Sequence, residues 1–275
     1  MVREQQDLNR ASAGLWDGYA RHRARVTALV RSHAPVPPGR LVLLGAGNCN
    51  DLELKRIAQV FSEIHLVDID AIALGDAVGR QDAGTLPAIR LHGGVDVTRL
   101  GWEPIHELES ANVVVSAALL TQLINSAVQC GRRPEELLLV RDAHLRTMAD
   151  LLQVGGTGLL ITDVVSSDTC PQLRETAPEK FPALLSALVQ TGNFFTGCNP
   201  LAIARKLGGD ANFRAAMVGL TAPWRWDIGD RSYLVCALTF RRRPGPKAHP
   251  SLGFSHQNLP SPGWRPTLRE DPGKP

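Results

Sequence analysis

The 275-residue sequence lacks the usual marks of a membrane, metal-binding or nucleic-acid-binding protein. Its five cysteines are scattered, without a CxxC pair or another metal-ligand spacing, so we expect free thiols in a reducing compartment and no metal site. No apolar run approaches the ~18 residues of a membrane span, and the N-terminus is polar. The net charge of +3 is small and calls for no nucleic-acid partner. We therefore expect a cytoplasmic protein without a membrane partner.

The composition predicts one large folded domain with two attachments. A hydrophobic fraction of 44% allows a full core. Residues 1–35 carry apolar positions at helical spacing before a proline-rich break and predict an N-terminal helical cap. Residues 36–243 predict the main domain, with a helical insertion at about 166–218. Residues 244–275, rich in Pro and Gly, predict a disordered tail.

Strand and helix patterns alternate through the main domain. Short links between them favour a parallel sheet covered on both sides, which is an α/β fold with a three-layer, Rossmann-like, doubly wound sheet. Two last apolar segments predict a C-terminal antiparallel β-hairpin. The predicted strands are 41–45, 64–67, 89–92, 112–116, 158–162, 224–228 and 233–240. Residues 8–33 predict one amphipathic helix or two, and a further helix begins at Asn50 or Asp51, where Asn50 has capping-box spacing to Glu53. The other predicted helices are 71–81, 119–129, 134–154, 178–190, 200–207 and 210–218.

A glycine loop after the first strand predicts binding of an adenosine-bearing cofactor. Gly45 and Gly47 follow the apolar run, and Asp68 ends the second strand about twenty residues later, as in βαβ units that bind such cofactors. The third glycine of a dinucleotide loop would fall at Asn50. The third glycine of an S-adenosylmethionine (SAM) loop would fall at Cys49. The loop alone leaves both cofactors open.

The order of these motifs resembles the class I SAM-dependent methyltransferases over roughly residues 36–243. The resemblance implies SAM as the cofactor, with S-adenosylhomocysteine as its product. The resemblance also implies a role for each motif. The loop that contacts the methionyl and adenosyl groups would be Gly45, Ala46, Gly47 and Asn48, and the acid that accepts from the ribose hydroxyls would be Asp68, with Ile69 beside it. Asp96 and Val97 would contact the adenine, and Ser116 would lie beside the sulfonium.

A more distant likeness concerns the acceptor. Residues 61–64 and 144–146 resemble small-molecule N-methyltransferases that act on amines and pyridines. The Asn/Asp-Pro-Pro-Tyr motif of enzymes that methylate base amines is absent, since Ser116-Ala-Ala-Leu119 stands there. We therefore expect a small-molecule substrate and no nucleic acid.

Asp163, after the fifth strand, is the catalytic candidate, because open α/β sheets bind ligands at the carboxyl ends of their strands. Four ring-bearing side chains are substrate-binding candidates: Tyr19, His22, Phe194 and Trp224.

Most of the candidate cofactor, catalytic and substrate residues also have a simpler structural explanation. The acids could form a turn or cap a helix, Ser116 could be a small residue at a crowded strand end, and the aromatic residues could pack in the core.

The sequence thus predicts a SAM-dependent methyltransferase that transfers a methyl group in line to a small molecule. Three alternatives remain open. The chain could be a non-catalytic methyltransferase-like binding protein, since no obvious base is present and Cys49 replaces a glycine. It could be an NAD-dependent oxidoreductase, which Asn50 and the terminal hairpin disfavour. It could be a polyamine synthase on the same fold.

Overall fold

The computed structural model describes residues 2–84, 86, 88–101 and 103–245. The chain from Met1 to Pro244 forms one compact unit. The predicted disordered tail, 244–275, lies outside the described residues from position 246 onward. None of the helices within the described part has the length and apolar character needed to cross a membrane.

Eight helices and eight strands alternate along most of the described chain. The helices are α1 (Val2–Ser12), α2 (Ala20–Ser32), the single turn α3 (Leu54–Ile57), α4 (Ala71–Arg80), α5 (Leu119–Gln129), α6 (Pro134–Leu151), α7 (Phe181–Thr191) and α8 (Pro200–Gly209). The strands are β1 (Arg40–Leu44), β2 (Glu63–Asp68), β3 (Ile89–Gly93), β4 (Ala111–Ala117), β5 (Leu152–Ser166), β6 (Ala215–Leu220), β7 (Trp224–Ile228) and β8 (Arg231–Arg242).

All eight strands belong to one sheet, in the order β3-β2-β1-β4-β5-β8-β6. The first five strands pair in parallel, whereas β8 pairs antiparallel with β5. Both β6 and β7 pair antiparallel with β8, at opposite ends of its length. The predicted fold class, a mostly parallel α/β sheet with a C-terminal antiparallel hairpin, is confirmed.

The sheet separates two apolar layers, because successive residues of a strand face opposite sides. Val42 and Leu44 of β1 belong to one buried cluster, which includes residues of α5 to α8. Leu41 and Leu43 belong to the other, which includes residues of α2 and α4. This arrangement explains why the central strands read as continuous apolar runs in the sequence.

Several predicted elements are confirmed. Helix α5 has the predicted bounds, and the hairpin of β7 and β8 forms. Asp70 caps α4, since its carboxylate accepts hydrogen bonds from the backbone N–H groups of Ile72 and Ala73.

Three predictions of local structure are wrong. The predicted helix at 210–218 is a short 3₁₀ turn followed by β6, which pairs with β8 along residues 238–242. The helix predicted to reach 154 ends at Leu151, and β5 runs on through Gly155 and Gly156 to Ser166. The capping box of Asn50 and Glu53 does not form, because the helical turn begins only at Leu54 and the Asn50 side chain donates to Ser12 O.

The pairing of β5 with β8 leaves no room for a side chain at Gly158. A Cβ atom there would lie 2.1 Å from the Phe240 ring, the residue paired with Gly158 in the sheet. We expect Gly158→Ala to lower the free energy of unfolding by about 1–3 kcal/mol through overpacking. Gly75→Ala is the control, because its Cβ would meet open space in α4 and helical alanine is favoured by about 0.5–1 kcal/mol. Urea denaturation measures both; equal stability of the two variants would contradict this packing.

Candidate functional site

The loop that follows β1 has a backbone shape that requires small residues. Gly45 and Gly47 have φ angles of +69° and +45°, in the left-handed region that favours glycine. A Cβ at Gly45 would lie 2.7 Å from the Leu119 side chain, and one at Gly47 would lie 2.9 Å from Asn9 Oδ1. Both glycines are therefore needed for close approach by neighbouring groups.

Cys49 takes the same left-handed conformation, with a φ of +48°. This is the position at which the sequence departs from the glycine of SAM loops. The side chain is buried, and burial raises the pKa of its thiol far above the usual range. The loop thus has the left-handed conformation at this position although the residue is a cysteine, and this conformation costs about 1–2 kcal/mol of strain.

Asp68, at the end of β2, is buried against this loop. Its Oδ2 accepts a hydrogen bond of 2.7 Å from Gly47 N, and its Oδ1 accepts one of 2.8 Å from Asp70 N. Burial raises the pKa of the Asp68 carboxyl, while these two backbone donors act in the opposite direction. The carboxylate therefore connects the loop after β1 to the loop between β2 and α4.

A small space lies beside Asp68, and we name it the loop cavity. Its volume is about 30 Å³, the share of roughly one water molecule. The loop cavity brings together five of the predicted cofactor residues, and its lining consists of Gln5, Gly45, Asp68, Ile69, Val95, Asp96, Val97, Leu119, Leu123 and Ser126. Asp96 has a structural role as well, because it caps a 3₁₀ turn: its Oδ1 accepts hydrogen bonds from the backbone N–H and the hydroxyl of Thr98.

Helix α1 covers the glycine loop and occupies the space above it. The Asn48 side chain donates to Asn9 O and to Ser12 Oγ, at 2.5 and 3.0 Å. Asn9 Nδ2 donates to Asp70 Oδ2 at 3.2 Å. Gln5 Nε2 donates to Gln122 Oε1 at 2.7 Å, which attaches the other end of α1 to α5. Ala46, like Asn48, is buried in the loop itself.

Ser116, near the end of β4, forms a buried pair with a histidine of α6. Ser116 Oγ lies 2.8 Å from His144 Nε2, and both side chains are buried. Burial lowers the pKa of His144 to about 4, so the imidazole is neutral near pH 7. His144 thus positions the hydroxyl rather than supplying a charge.

Asp163 lies inside β5, where the pairing with β8 shifts register between Asp163 and Val165, and not at the end of a strand. Asp163 is 8% exposed, and its Oδ1 accepts a hydrogen bond of 2.7 Å from Thr121 Oγ1. Burial raises its pKa to about 6, although the Thr121 bond opposes this shift.

Two connected clefts border Asp163. We name the inner one the aromatic cleft; its volume is about 240 Å³. The outer cleft, of about 410 Å³, shares Leu8, Thr121, Gln122, Asp163 and Tyr233 with it. The aromatic cleft is lined by Gln5, Leu8, Asn9, Ser12, Tyr19, Ala118, Thr121, Gln122, Asp163, Trp226, Ile228 and Tyr233.

The four predicted substrate residues lie in different places. Tyr19 lines the aromatic cleft. His22 and Trp224 line a separate groove of about 580 Å³, where Trp224 Nε1 donates to His22 Nδ1 at 3.2 Å. Phe194 packs, half-buried, against the apolar core, and its neighbour Phe195 lines the outer cleft.

Sequence reasoning missed the polar residues of α1 and Tyr233 of the hairpin. Gln5 and Asn9 carry no motif, and only the fold brings them to the glycine loop. Trp226 and Tyr233 belong to the predicted hairpin, and their pairing across it could have indicated a shared face. Among the described residues, no group of three or more His, Cys, Asp or Glu side chains is placed to hold a metal ion.

No family model and no curated protein matches the chain. Solved structures similar to it include the N-methyltransferase NodS from Bradyrhizobium japonicum with S-adenosylhomocysteine, at 13% identity over 82% of this chain and 87% of that one, with a TM-score of 0.48. Magnesium protoporphyrin IX methyltransferase from Synechocystis, with the same ligand, is 15% identical over 80% and 83%, with a TM-score of 0.48. A putative RNA methyltransferase from Pyrococcus horikoshii is 10% identical over 81% and 83%, also with a TM-score of 0.48.

The buried Asp163 makes the stability of the fold depend on pH. Because its pKa is raised to about 6, the folded state holds this proton up to a higher pH than the unfolded state does. Its contribution to stability therefore falls as the pH rises from about 4 to 6. We expect Asp163→Asn to exceed the wild type in free energy of unfolding by up to about 3 kcal/mol at pH 7, and by almost nothing at pH 4.

Urea denaturation at several pH values measures this difference. Asp76→Asn, an exposed acid of α4, is the control and should leave the pH profile unchanged. A gain in Asp163→Asn of the same size at pH 4 and pH 7 would rule out the titration.

Proposed function

We propose that this chain is a SAM-dependent methyltransferase that acts on a small molecule. The observation that carries the proposal is the pairing of the left-handed loop at Gly45 and Gly47 with the Asp68 carboxylate, next to two clefts that contain a buried acid. Bound SAM supplies a methyl group on a positively charged sulfur. The remaining requirements are to bind this cofactor, align the acceptor and exclude water.

The residues around the loop cavity suit an adenosine group in their chemistry. Asp68 can accept from ribose hydroxyls, and a charged acceptor makes hydrogen bonds about twice as strong as a neutral one. Ile69, Val97 and Leu119 offer apolar surface to a purine ring, and Asp96 offers an acceptor to its amino group. Gly45 and Gly47 would let the methionyl portion approach the loop backbone once α1 moves away. Ser116, buried and paired with His144, would lie beside the methyl-transfer centre from the end of β4.

The acceptor would occupy the aromatic cleft, with the outer cleft as its entrance. The volumes of about 240 and 410 Å³ are of the order of small-molecule sites. Asp163, which lines both clefts, would orient the acceptor and take a proton from it. The free cysteines, four of them buried, are compatible with a reducing, cytoplasmic location.

A second candidate function is favoured by one observation. Helix α1 leaves only about 30 Å³ beside Asp68, so a non-catalytic protein that keeps this site closed is the alternative. An NAD-dependent oxidoreductase has less support, because Asn50 replaces the third glycine and its side chain bonds to Ser12 O.

Calorimetric titration of the full chain with S-adenosylhomocysteine tests the proposal. We expect binding by the wild type and binding at least about tenfold weaker by Asp68→Asn, because a hydrogen bond to a charged acceptor is worth about 1.5–3 kcal/mol. Asp76→Asn removes the same charge from an exposed site and should bind normally. Absence of binding by the folded wild-type protein would reject the proposed function.

The proposal also requires α1 to move when the cofactor enters. We expect the double variant Gln5→Ala/Asn9→Ala to bind S-adenosylhomocysteine about tenfold faster, because the bonds to Gln122 and Asp70 no longer hold the helix and each is worth about 0.5–1.5 kcal/mol. Stopped-flow tryptophan fluorescence measures the association rate. Arg10→Ala, which removes an exposed charge from the same helix, is the control. An unchanged rate in the double variant would show that α1 does not limit entry.

A further inference from the structure

Three aromatic rings form one wall of the aromatic cleft. The centroids of Tyr19 and Trp226 are 4.9 Å apart with an interplanar angle of 61°, and those of Trp226 and Tyr233 are 5.4 Å apart at 35°. The three rings come from the N-terminal segment, β7 and β8, so the wall exists only in the folded chain. Aromatic faces are negative and attract cations.

The charge in this cleft has one sign. Asp163 is the one charged side chain among the described residues that line it. Arg231 lies in the outer cleft, where its side chain donates to the Tyr233 hydroxyl and its Nε lies 3.1 Å from Asp168 Oδ2. Behind the wall, His22 stacks on Trp226 at 4.5 Å and its Nε2 lies 3.1 Å from Asp51 Oδ1. Because Arg231 is paired with Asp168, a cationic group in the aromatic cleft would meet Asp163 as the charged side chain of the cleft lining.

The Asp163 carboxylate at the cleft still has unused hydrogen-bonding capacity. Asp163 is 8% exposed, and among the described side chains Thr121 is its hydrogen-bond donor, so part of the carboxylate's lost hydration is not replaced. A ligand with a positive charge would satisfy this group. An anionic ligand would meet an unpaired buried carboxylate and is disfavoured.

We propose that the methyl acceptor is an amine, held in the aromatic cleft between the rings of Tyr19, Trp226 and Tyr233 and the Asp163 carboxylate. This inference rests on the proposed function. The neutral amine nitrogen uses its lone pair to form the new N–C bond, and the electron pair of the breaking C–S bond stays on sulfur. The positive charge thereby passes to nitrogen, beside Asp163, and a proton of the new ammonium group leaves to that carboxylate or to water.

The site suits this reaction because the charge moves into it. The rings and the carboxylate interact more strongly with the cationic product nitrogen than with the neutral amine, so they stabilise charge as it develops. A phenol acceptor differs in this respect, because its product is neutral and would gain nothing from the aromatic wall.

A pair of probes of equal shape tests the inference. Choline mimics a fully methylated amine, and 3,3-dimethylbutan-1-ol has carbon in place of the charged nitrogen. We expect the full-length wild type to bind choline about tenfold more tightly than the alcohol, in calorimetric titrations with and without S-adenosylhomocysteine. Asp163→Asn should bind the two probes about equally tightly. Tyr233→Leu should weaken the preference for choline while leaving the buried acid in place. Asp76→Asn should keep it.

The outcomes separate the inference from the proposed function. Binding of S-adenosylhomocysteine without a preference for choline, or with a preference that survives in Asp163→Asn, would overturn the amine acceptor and leave methyl transfer standing. A choline preference without S-adenosylhomocysteine binding would overturn methyl transfer and leave a cation site. A choline preference that depends on Asp163, in a protein that binds S-adenosylhomocysteine, supports both.

Discussion

The Asp68 carboxylate is the constraint on which the site depends. It accepts hydrogen bonds from Gly47 N and Asp70 N, so one buried side chain fixes the loop after β1 and the start of α4 together. Gly47 can donate in this direction only because its backbone is left-handed. Asp70, positioned by the same carboxylate, caps α4 and accepts from Asn9 of α1. A change at Asp68 therefore alters the loop, the helix and the cover at once.

Helix α1 completes these polar contacts. Asn48, Asn50 and Asp70 each bond to an atom of the segment from Asn9 to Ser12, so each of these side chains has a partner without a ligand, although Asn50 Oδ1 is left unpaired among the described residues. Opening α1 exposes them, and a cofactor with hydroxyl, amino and carboxylate groups could replace the lost bonds. Because the cofactor replaces the lost hydrogen bonds, the free energy needed to open α1 is small when the cofactor is present and large when it is absent. The same helix lines both the loop cavity and the aromatic cleft, and so connects cofactor entry to the acceptor site.

The parts of this structure that could be predicted from the sequence are those with local causes. The β1 loop and the Asp70 cap follow from glycine and capping chemistry, and α5 follows from its apolar period. Strand β6 could not be found in this way, because residues 215–220 do not alternate and become a strand only through pairing with β8. Asn9 was missed for a related reason: it acquires its role from a contact with Asp70, which is far away in the sequence. The position of Asp163 was only partly foreseen, since β5 is longer than its apolar run.

A crystal structure of the full chain with S-adenosylhomocysteine would show whether the glycine loop and Asp68 form a cofactor site. We expect the ribose hydroxyls to contact the Asp68 carboxylate, the adenine to lie between Val97 and Leu119, and α1 to be displaced so that Gln5 and Asn9 no longer bond to Gln122 and Asp70. The thioether sulfur should face the aromatic cleft, with Asp163 on its far side. A ligand bound elsewhere, or bound with the Asp68 bonds and α1 unchanged, would contradict the claim that this loop and this carboxylate form a cofactor site.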